Sequence, residues 1–198
     1  MYNFIREVLR FIFKHVYRWE IIGHENIPAQ GGAIIAANHI SLWDPPVVGC
    51  ALSRKIHFMA KEELFSIPIF SKVIRTLNAF PVKRGVADRT AIRTAINLLV
   101  TGELLGVFPE GTRSKSGQLG NPEPGVAMIA LKAGVPVIPA AIIGTNQSWP
   151  HSSSIPKFKI IFGKPIDTFK DKSDKEMLET LSKQIMSEIK ELLEKGKH

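Results

Sequence analysis

The sequence predicts an α/β fold: one domain with a mixed, partly parallel sheet of six or seven strands flanked by helices, plus an N-terminal amphipathic helix. Three observations lead there. Short apolar runs of strand length, such as "GGAIIAAN" and "KFKIIFG", alternate with stretches whose apolar residues recur at helical spacing, the pattern of crossover connections with some parallel pairing. The 198 residues fit a single domain with its own core and show no low-complexity tract or internal period. The first twenty carry the clearest helical period, so 1–20 reads as a helix and 21–198 as the domain, with no further boundary visible.

Placed at about 100° per residue, Phe4, Ile5, Val8, Leu9, Ile12, Phe13 and Val16 fall on one side of the first helix, and Arg6, Arg10, Lys14 and Arg18 opposite. Such a helix either packs on the domain with its charges solvated or lies in a bilayer surface with basic residues near anionic headgroups. Each basic residue there adds about 1 kcal/mol. "GGAIIAAN", after the turn signals Pro28 and Gly31-Gly32, reads as the first buried strand. Asp44-Pro45 then fits an N-cap and a first helical position, where proline loses no needed hydrogen bond. "KIHFMA" reads as strand, 61–75 as helix disturbed by Pro68, "AFPV" as strand and 88–101 as helix. "LLGVFP" is a buried strand running into a loop, and 124–133 a helix entered through Pro124. "VPVIPAAIIG" and "KFKIIFG" are further strands; Pro139 inside the former implies an edge position or a bulge. The last helix opens on a capping box, Ser173 with Glu176, and buries Leu178, Leu181, Ile185, Ile189 and Leu192.

Charge and cysteine narrow the function classes. Twenty-six Lys and Arg against 18 Asp and Glu give +8, which attracts any polyanion: nucleic acid, anionic lipid, phosphorylated metabolites or an acidic carrier protein. A nucleic-acid module would interleave stacking aromatics with basic residues on one face. Aromatics are only 8% of the chain and much of the basic charge has an account in the first helix, so nucleic acid is not an expected partner. The one cysteine, Cys50, makes no internal disulfide possible and reads as a small buried hydrophobe. No apolar run reaches the ~18 residues of a membrane span, and Arg6, Arg10 and Lys14 interrupt what would be a signal peptide's apolar region.

Three stretches bear chemistry. In "ANHISLWDPP", His39 ends the first strand, a favoured place for reactive groups in open α/β sheets. Five helical steps rotate about 140°, so His39 and Asp44 can meet only across a strand-to-helix turn. The spacing alone leaves two readings open, a loop histidine beside a capping aspartate or an aligned pair in which Asp44 fixes the tautomer of a base. "VFPEGTRSKSG" opens a buried strand into Glu110, Gly111, Thr112 and Arg113, an ordinary turn or an anion site whose guanidinium can donate two parallel bonds. "NAFPVKRG" delivers Lys83 and Arg84 to a strand end, as a solvated pair or as phosphate ligands. There is no Gly-x-Ser-x-Gly elbow, no phosphate-cradling Gly-rich loop and no His/Cys cluster at metal spacing. A histidine base is then most simply used on the substrate's own hydroxyl, in direct transfer, with no metal and no cofactor.

Asn38-His39 followed after four residues by Asp44, then "NAFPVKRG", "FPEGTRS" and "VIPAAI", in this order and spacing, resemble the four motifs of the glycerolipid acyltransferases, most closely the bacterial lysophosphatidic acid acyltransferases. The likeness covers roughly 20–165. It implies transfer of a fatty acyl group from an acyl carrier protein or coenzyme A thioester to the 2-hydroxyl of lysophosphatidic acid, giving phosphatidic acid. Another glycerolipid acceptor, or a noncatalytic lipid-binding protein, is the alternative. It further implies His39 as the base and Asp44 as its orienting carboxylate. Lys83, Arg84 and Arg113 would lie on the acceptor phosphate, with Glu110, Gly111 and Thr112 shaping the pocket. The thioester is a co-substrate, and the expected setting is peripheral, on an anionic membrane surface at the cytoplasmic face. The family commonly has glycine at the position of Asn78, and asparagine is the next residue best able to take a left-handed backbone. The acyl chain needs an apolar slot, for which Val137 and Ile138 or the helix around Phe65 and Phe70 are candidates, with core packing as the plainer role.

Overall fold

The computed structural model describes residues 2–83, 85, 88–114, 116–147, 155–169 and 174–196. In chain order the strands are β1 (Glu20–Ile22), β2 (Ala33–Ala37), β3 (Ile56–Lys61), β4 (Ala79–Val82), β5 (Leu104–Val107), β6 (Val137–Ile143) and β7 (Lys159–Phe162). The helices are α1 (Tyr2–His15), α2 (Asp44–Ala51), α3 (Pro68–Thr76), α4 (Arg89–Val100), α5 (Gly125–Ala133) and α6 (Lys175–Lys195). The strands form one seven-stranded sheet in the order β1-β7-β6-β2-β5-β3-β4. From β6 to β4 every pairing is parallel; β7 runs antiparallel to β6 and carries β1 parallel to itself. The mixed, partly parallel sheet is therefore as the apolar runs predict, and β1, three residues long, is too short to show a period in sequence.

All five residues of β2 are buried. Ala33, Ile35 and Ala37 join the core on the α1–α2 side, and Ile34 and Ala36 the core beneath α4, α5 and α6, as period-two side chains require of a strand covered on both faces. The crossovers explain which helix goes where. β2-α2-β3 and β3-α3-β4 step one way across the sheet, whereas β4-α4-β5 and β5-α5-β6 step back. Right-handed crossovers put the first two helices on one face and the next two on the other.

Helix α1 corrects the sequence reading of its faces. It docks neither its apolar nor its basic side but the boundary between them. Phe13 is fully buried, with ring centroids of Trp19, Phe158 and Trp43 at 5.5, 5.8 and 5.9 Å. Beside it Arg10 donates from Nε to the Cys50 carbonyl and from a terminal nitrogen to the Leu52 carbonyl, each at 2.8 Å. These are carbonyls at the C-terminus of α2, where a cation satisfies unpaired acceptors and meets the negative end of the helix. The predicted basic stripe is thus divided: Arg6 and Arg10 turn toward the domain, Lys14 and Arg18 toward solvent. Phe4, Val8, Phe11 and Val16 are left exposed.

Three further expectations shift. Pro68 does not disturb one helix but separates a 3-10 turn, Glu62–Ser66, from α3, of which it is the first residue. Pro139 lies in central β6 rather than at an edge, but the bulge alternative holds. Its carbonyl accepts from Gly163 N–H at 2.8 Å, in register with Ala140↔Phe162, whereas Val137 pairs with Ile166, so Lys164 and Pro165 stand opposite the single residue Ile138. Ser173 lies outside the described residues, and the cap observed on α6 is Asp174, which accepts from Met177 N–H at 2.7 Å. Asn78 has φ +60°, the left-handed backbone expected of it.

Candidate active site

The parallel strands β2, β5, β3, β4 and β6 all end at one edge of the sheet, and the described catalytic and substrate-binding candidates, His39, Asp44, Lys83, Glu110, Gly111, Thr112 and Arg113, follow those strand ends. His39 follows β2, and Asp44 opens α2. His39 Nδ1 is 2.8 Å from Asp44 Oδ2. The same oxygen accepts from the Ile40 and Ser41 amides, each at 2.7 Å, and Oδ1 accepts from the Thr145 hydroxyl at 2.6 Å. Asp44 is the first residue of α2 rather than its N-cap, which is Trp43. Its carboxylate serves the turn behind it, not the helix amides ahead, because the turn brings two N–H groups and an imidazole to one point. Asp44 is 0% exposed, and four donors converge on it. A carboxylate only accepts, so Nδ1 carries hydrogen, and in the neutral ring Nε2 is the nitrogen left free to accept. Nε2 has no hydrogen-bond partner among the described residues and is not among their buried unpaired atoms.

The "FPEGTRS" loop grips the His39 backbone from both sides. Glu110 Oε1 accepts from His39 N–H at 2.9 Å, Glu110 Oε2 from Gly120 N–H at 2.8 Å, and Ser114 N–H donates to His39 carbonyl at 2.8 Å. Gly111, at φ +66°, closes the turn with a bond from its N–H to the Phe108 carbonyl. Glu110 is buried, and both its oxygens are engaged by backbone, so it holds the His39 backbone rather than facing a pocket. Thr112 and Arg113 are exposed, and Arg113 has no hydrogen bond or ion pair among the described residues. Lys83 is exposed at the end of β4, three strands from β2, about 14 Å along the edge at ordinary strand spacing. Asp88 caps α4 and also accepts from Lys83 N–H at 3.0 Å. That bond, with the α4 amides, holds the Asp88 carboxyl below its usual range and closes the turn bearing Lys83. Arg84 lies outside the described residues.

Two supports were not read in sequence. Thr145 just after β6 is fully buried, and nothing local marks a threonine as the partner of an aspartate 101 residues away. Asn38 donates to the Ile142 carbonyl at 3.0 Å and accepts from Ile142 N–H at 2.7 Å; its amide extends the β2–β6 ladder by one side chain and aims His39 outward. Of the proposed slot residues, Val137 and Ile138 are fully buried in the two cores, the plainer of their roles. A narrow apolar slot instead lies between α1, α2 and β3, lined by Leu9, Pro45, Pro46, Ile56, Phe58 and Leu77. Cys50, also there, is a buried thiol pushed up to about 12 by desolvation, so it stays protonated and is not a nucleophile.

A stack of rings ties the slot to the base. The imidazole lies on Phe108 with centroids 4.0 Å apart and planes at 15°, and Phe108 is stacked with Phe58 at 6.3 Å. Phe58 covers Gly106 on the neighbouring strand, where a Cβ would come within 2.2 Å of its ring. Gly106→Ala is therefore expected to cost about 1–3 kcal/mol of stability through overpacking and to lower kcat by moving Phe58, Phe108 and the imidazole together. Thermal unfolding and turnover check both; a variant normal in each would show the stack to be loose.

The family model for acyltransferases matches residues 18–143, the span holding β1 through β6 and all of this site but Thr145. The chain belongs to the acyltransferase family. It is 34% identical over 196 residues to the 1-acyl-sn-glycerol-3-phosphate acyltransferase of Bacillus subtilis strain 168, covering 97% of this chain and 96% of that one. The chloroplast enzyme LPAT1 of Arabidopsis thaliana is 32% identical over 157 residues, and the match spans 76% of this chain but 44% of that longer relative. Among solved structures, the acyltransferase PlsC of Thermotoga maritima superposes with a TM-score of 0.77 at 33% identity, over 99% of this chain and 81% of its own. In this acyltransferase the histidine, its carboxylate and the loop that clamps the His39 backbone are parts of a single hydrogen-bonded unit.

Proposed function

We propose that this acyltransferase moves a fatty acyl group from an acyl carrier protein or coenzyme A thioester to the 2-hydroxyl of lysophosphatidic acid, yielding phosphatidic acid. The observation that carries the reading is the His39–Asp44 contact at 2.8 Å with Nε2 left open, in a chain so like the B. subtilis enzyme over nearly its whole length. His39 Nε2 takes the hydroxyl proton as the oxygen attacks the thioester carbonyl carbon. The carbon–sulfur bond then breaks, and the departing thiolate recovers the proton from the imidazolium, whose charge Asp44 balances. A positioned base supplies roughly 10²–10⁴ of rate, and holding both substrates supplies much of the rest. The acyl group arrives on a thioester co-substrate and leaves in the phosphatidic acid while the freed thiol departs, and no bound cofactor is needed for these steps.

Arg113, exposed and uncommitted, lies on the loop that holds His39 and would serve the acceptor phosphate; Lys83, farther along the edge, and Arg84, outside the described residues, would add charge. Gly111 and Thr112 shape the space between. The slot below Phe58 suits an acyl chain. The enzyme in this reading is peripheral, on the cytoplasmic face of the membrane, with the exposed side of α1 in contact with lipid; among the described residues no helix is long and apolar enough to cross a membrane.

The test is transfer by the purified protein to lysophosphatidic acid from both thioesters in parallel, together with Arg113→Ala. That variant is expected to raise the acceptor KM about 10- to 100-fold, the worth of charge-assisted hydrogen bonds, with the donor KM unchanged. An equal rise in both would remove the phosphate role, and a parent protein inert with every donor would remove the reaction.

A further inference from the structure

Large exposed hydrophobic side chains are unevenly spread over this molecule. Of the thirteen among the described residues, Phe4, Val8, Phe11 and Val16 belong to α1 or its end. Leu42 tips the catalytic turn, and Ile67, Ile69, Phe70 and Val73 belong to α3 or the residue before it. The four others, Ile22, Val100, Ile155 and Phe169, occur singly on separate elements. Scattered exposed apolar residues need no explanation, whereas a concentration on one side does.

The topology brings the concentration together. α1 lies on α2, and α2 and α3 share a sheet face by the handedness of their crossovers; Leu9 of α1 and Leu77 at the end of α3 line the same slot. The outer surface of this layer is made of α1 and α3. On α3 the body side is Ser71, which is buried, and Ile74, which is half-buried; Ile69 is 82% exposed and Val73 42%. The chain enters α3 from the carboxyl end of β3, so Ile67, Ile69 and Phe70 stand at the same edge as His39, with Leu42, 66% exposed, between His39 and Asp44.

We infer that α3 is a second lipid-contacting element, independent of α1, which with Leu42 sets the catalytic edge against the surface of an anionic bilayer. Charge selects lipid over another apolar partner. Lys72 flanks the apolar side of α3, and Lys14 and Arg18 stand at or just past the end of α1; Arg75, nearer the body, donates to Ser71 Oγ at 3.3 Å and lies over the Phe65 ring at 4.8 Å, and all four are exposed. The acids nearby are Glu7, Glu62 and Glu63, of which Glu7 meets Arg10 at 3.0 Å and Glu63 meets Lys61 at 3.1 Å. Apolar residues flanked by cations on a short helix are the pattern of interfacial binding. An acceptor lipid would then reach Nε2 without its acyl chain leaving the apolar phase. The inference extends the proposed function, but its first readout does not depend on it.

The full chain, its Ile69→Asp/Val73→Asp double variant and a Val100→Asp control on α4 are compared for binding to phosphatidylglycerol–phosphatidylcholine vesicles. All three substituted positions are solvent-exposed, so folding is retained and is checked by thermal unfolding. The α3 variant is expected to bind vesicles about tenfold or more weakly, as loss of interfacial apolar contact demands, and the control to bind as the parent does. Acyl transfer to a long-chain acceptor in the vesicles falls in parallel, while transfer to a short-chain acceptor below its micelle concentration is retained. Parental vesicle binding by the α3 variant overturns the inference, as does an equal loss in the control. A solution dimer that the α3 substitutions dissociate with vesicle binding intact overturns it too. If neither acceptor is acylated by the parent protein, the proposed reaction fails while vesicle binding still decides the role of α3.

Discussion

His39→Ala is expected to lower acyl transfer by roughly 10²–10⁴-fold, the usual contribution of a positioned general base, while leaving the protein folded. Both halves follow from the geometry. The nitrogen proposed to take the hydroxyl proton is lost, and among the described residues no other histidine or thiol at this edge replaces it, Cys50 being buried and protonated. The fold survives because the parts that hold this position act on its backbone: Glu110 and Ser114 bond the His39 amide and carbonyl, and alanine keeps both. Asp44 loses one of four donors but retains the Ile40, Ser41 and Thr145 bonds, so no bare charge is left in the core. Steady-state rates, acceptor KM and thermal unfolding are the measurements. A variant with an unchanged KM and Tm and a collapsed kcat matches the assigned role; one that turns over like the parent would remove the base from the mechanism, and one that unfolds would make His39 a structural residue.

Sequence carried the elements that periodicity or punctuation can carry. Apolar runs located β2 to β7, and Asp-Pro placed the start of α2 to within a residue, because proline and strand-forming residues act locally. What stayed hidden depends on partners far along the chain. The face that α1 buries is set by the carbonyls of α2, which Arg10 reaches over 40 residues, and nothing in the helix's own pattern names the boundary between its two faces as the contact. Pro139 sits in mid-sheet at a bulge whose extra residue belongs to the chain after β7, a fact about another segment. The site divides likewise. His39 and Asp44 were legible as a pair, since five residues and a turn bring them together, and the resemblance to a family raised one of two readings. Glu110 was legible as a member of the site but not in its role: its carboxylate holds the His39 amide, a contact between loops of different strands. Thr145, from a third strand end, left no mark in its own neighbourhood.

The second large effect is expected for Asp44→Asn, and its value is that it separates charge from scaffold. The carboxylate receives three donors on Oδ2 and one on Oδ1. An asparagine can put its single oxygen on the three-donor side and turn its NH₂ to Thr145 Oγ, since a hydroxyl accepts as well as donates. The turn can therefore close around the amide, and His39 keeps its Nδ1–H tautomer. Missing is the negative charge beside the imidazolium that forms when Nε2 takes the proton. In hydrolases that pair histidine with aspartate, the corresponding amide costs ~10⁴ because it also forces the wrong histidine tautomer; here the tautomer is kept, so a loss below that figure, of about 10²-fold or more in kcat, is expected, with acceptor KM little changed and Tm lowered only modestly. The comparison with Asp44→Ala completes the argument. That variant leaves amides and a hydroxyl unpaired in a buried turn at about 1–3 kcal/mol each, so it should unfold at clearly lower temperature than Asp44→Asn while being no more active. If Asp44→Asn instead keeps most of the parental kcat, the carboxylate only props up the turn, and the imidazolium must be stabilised by something else.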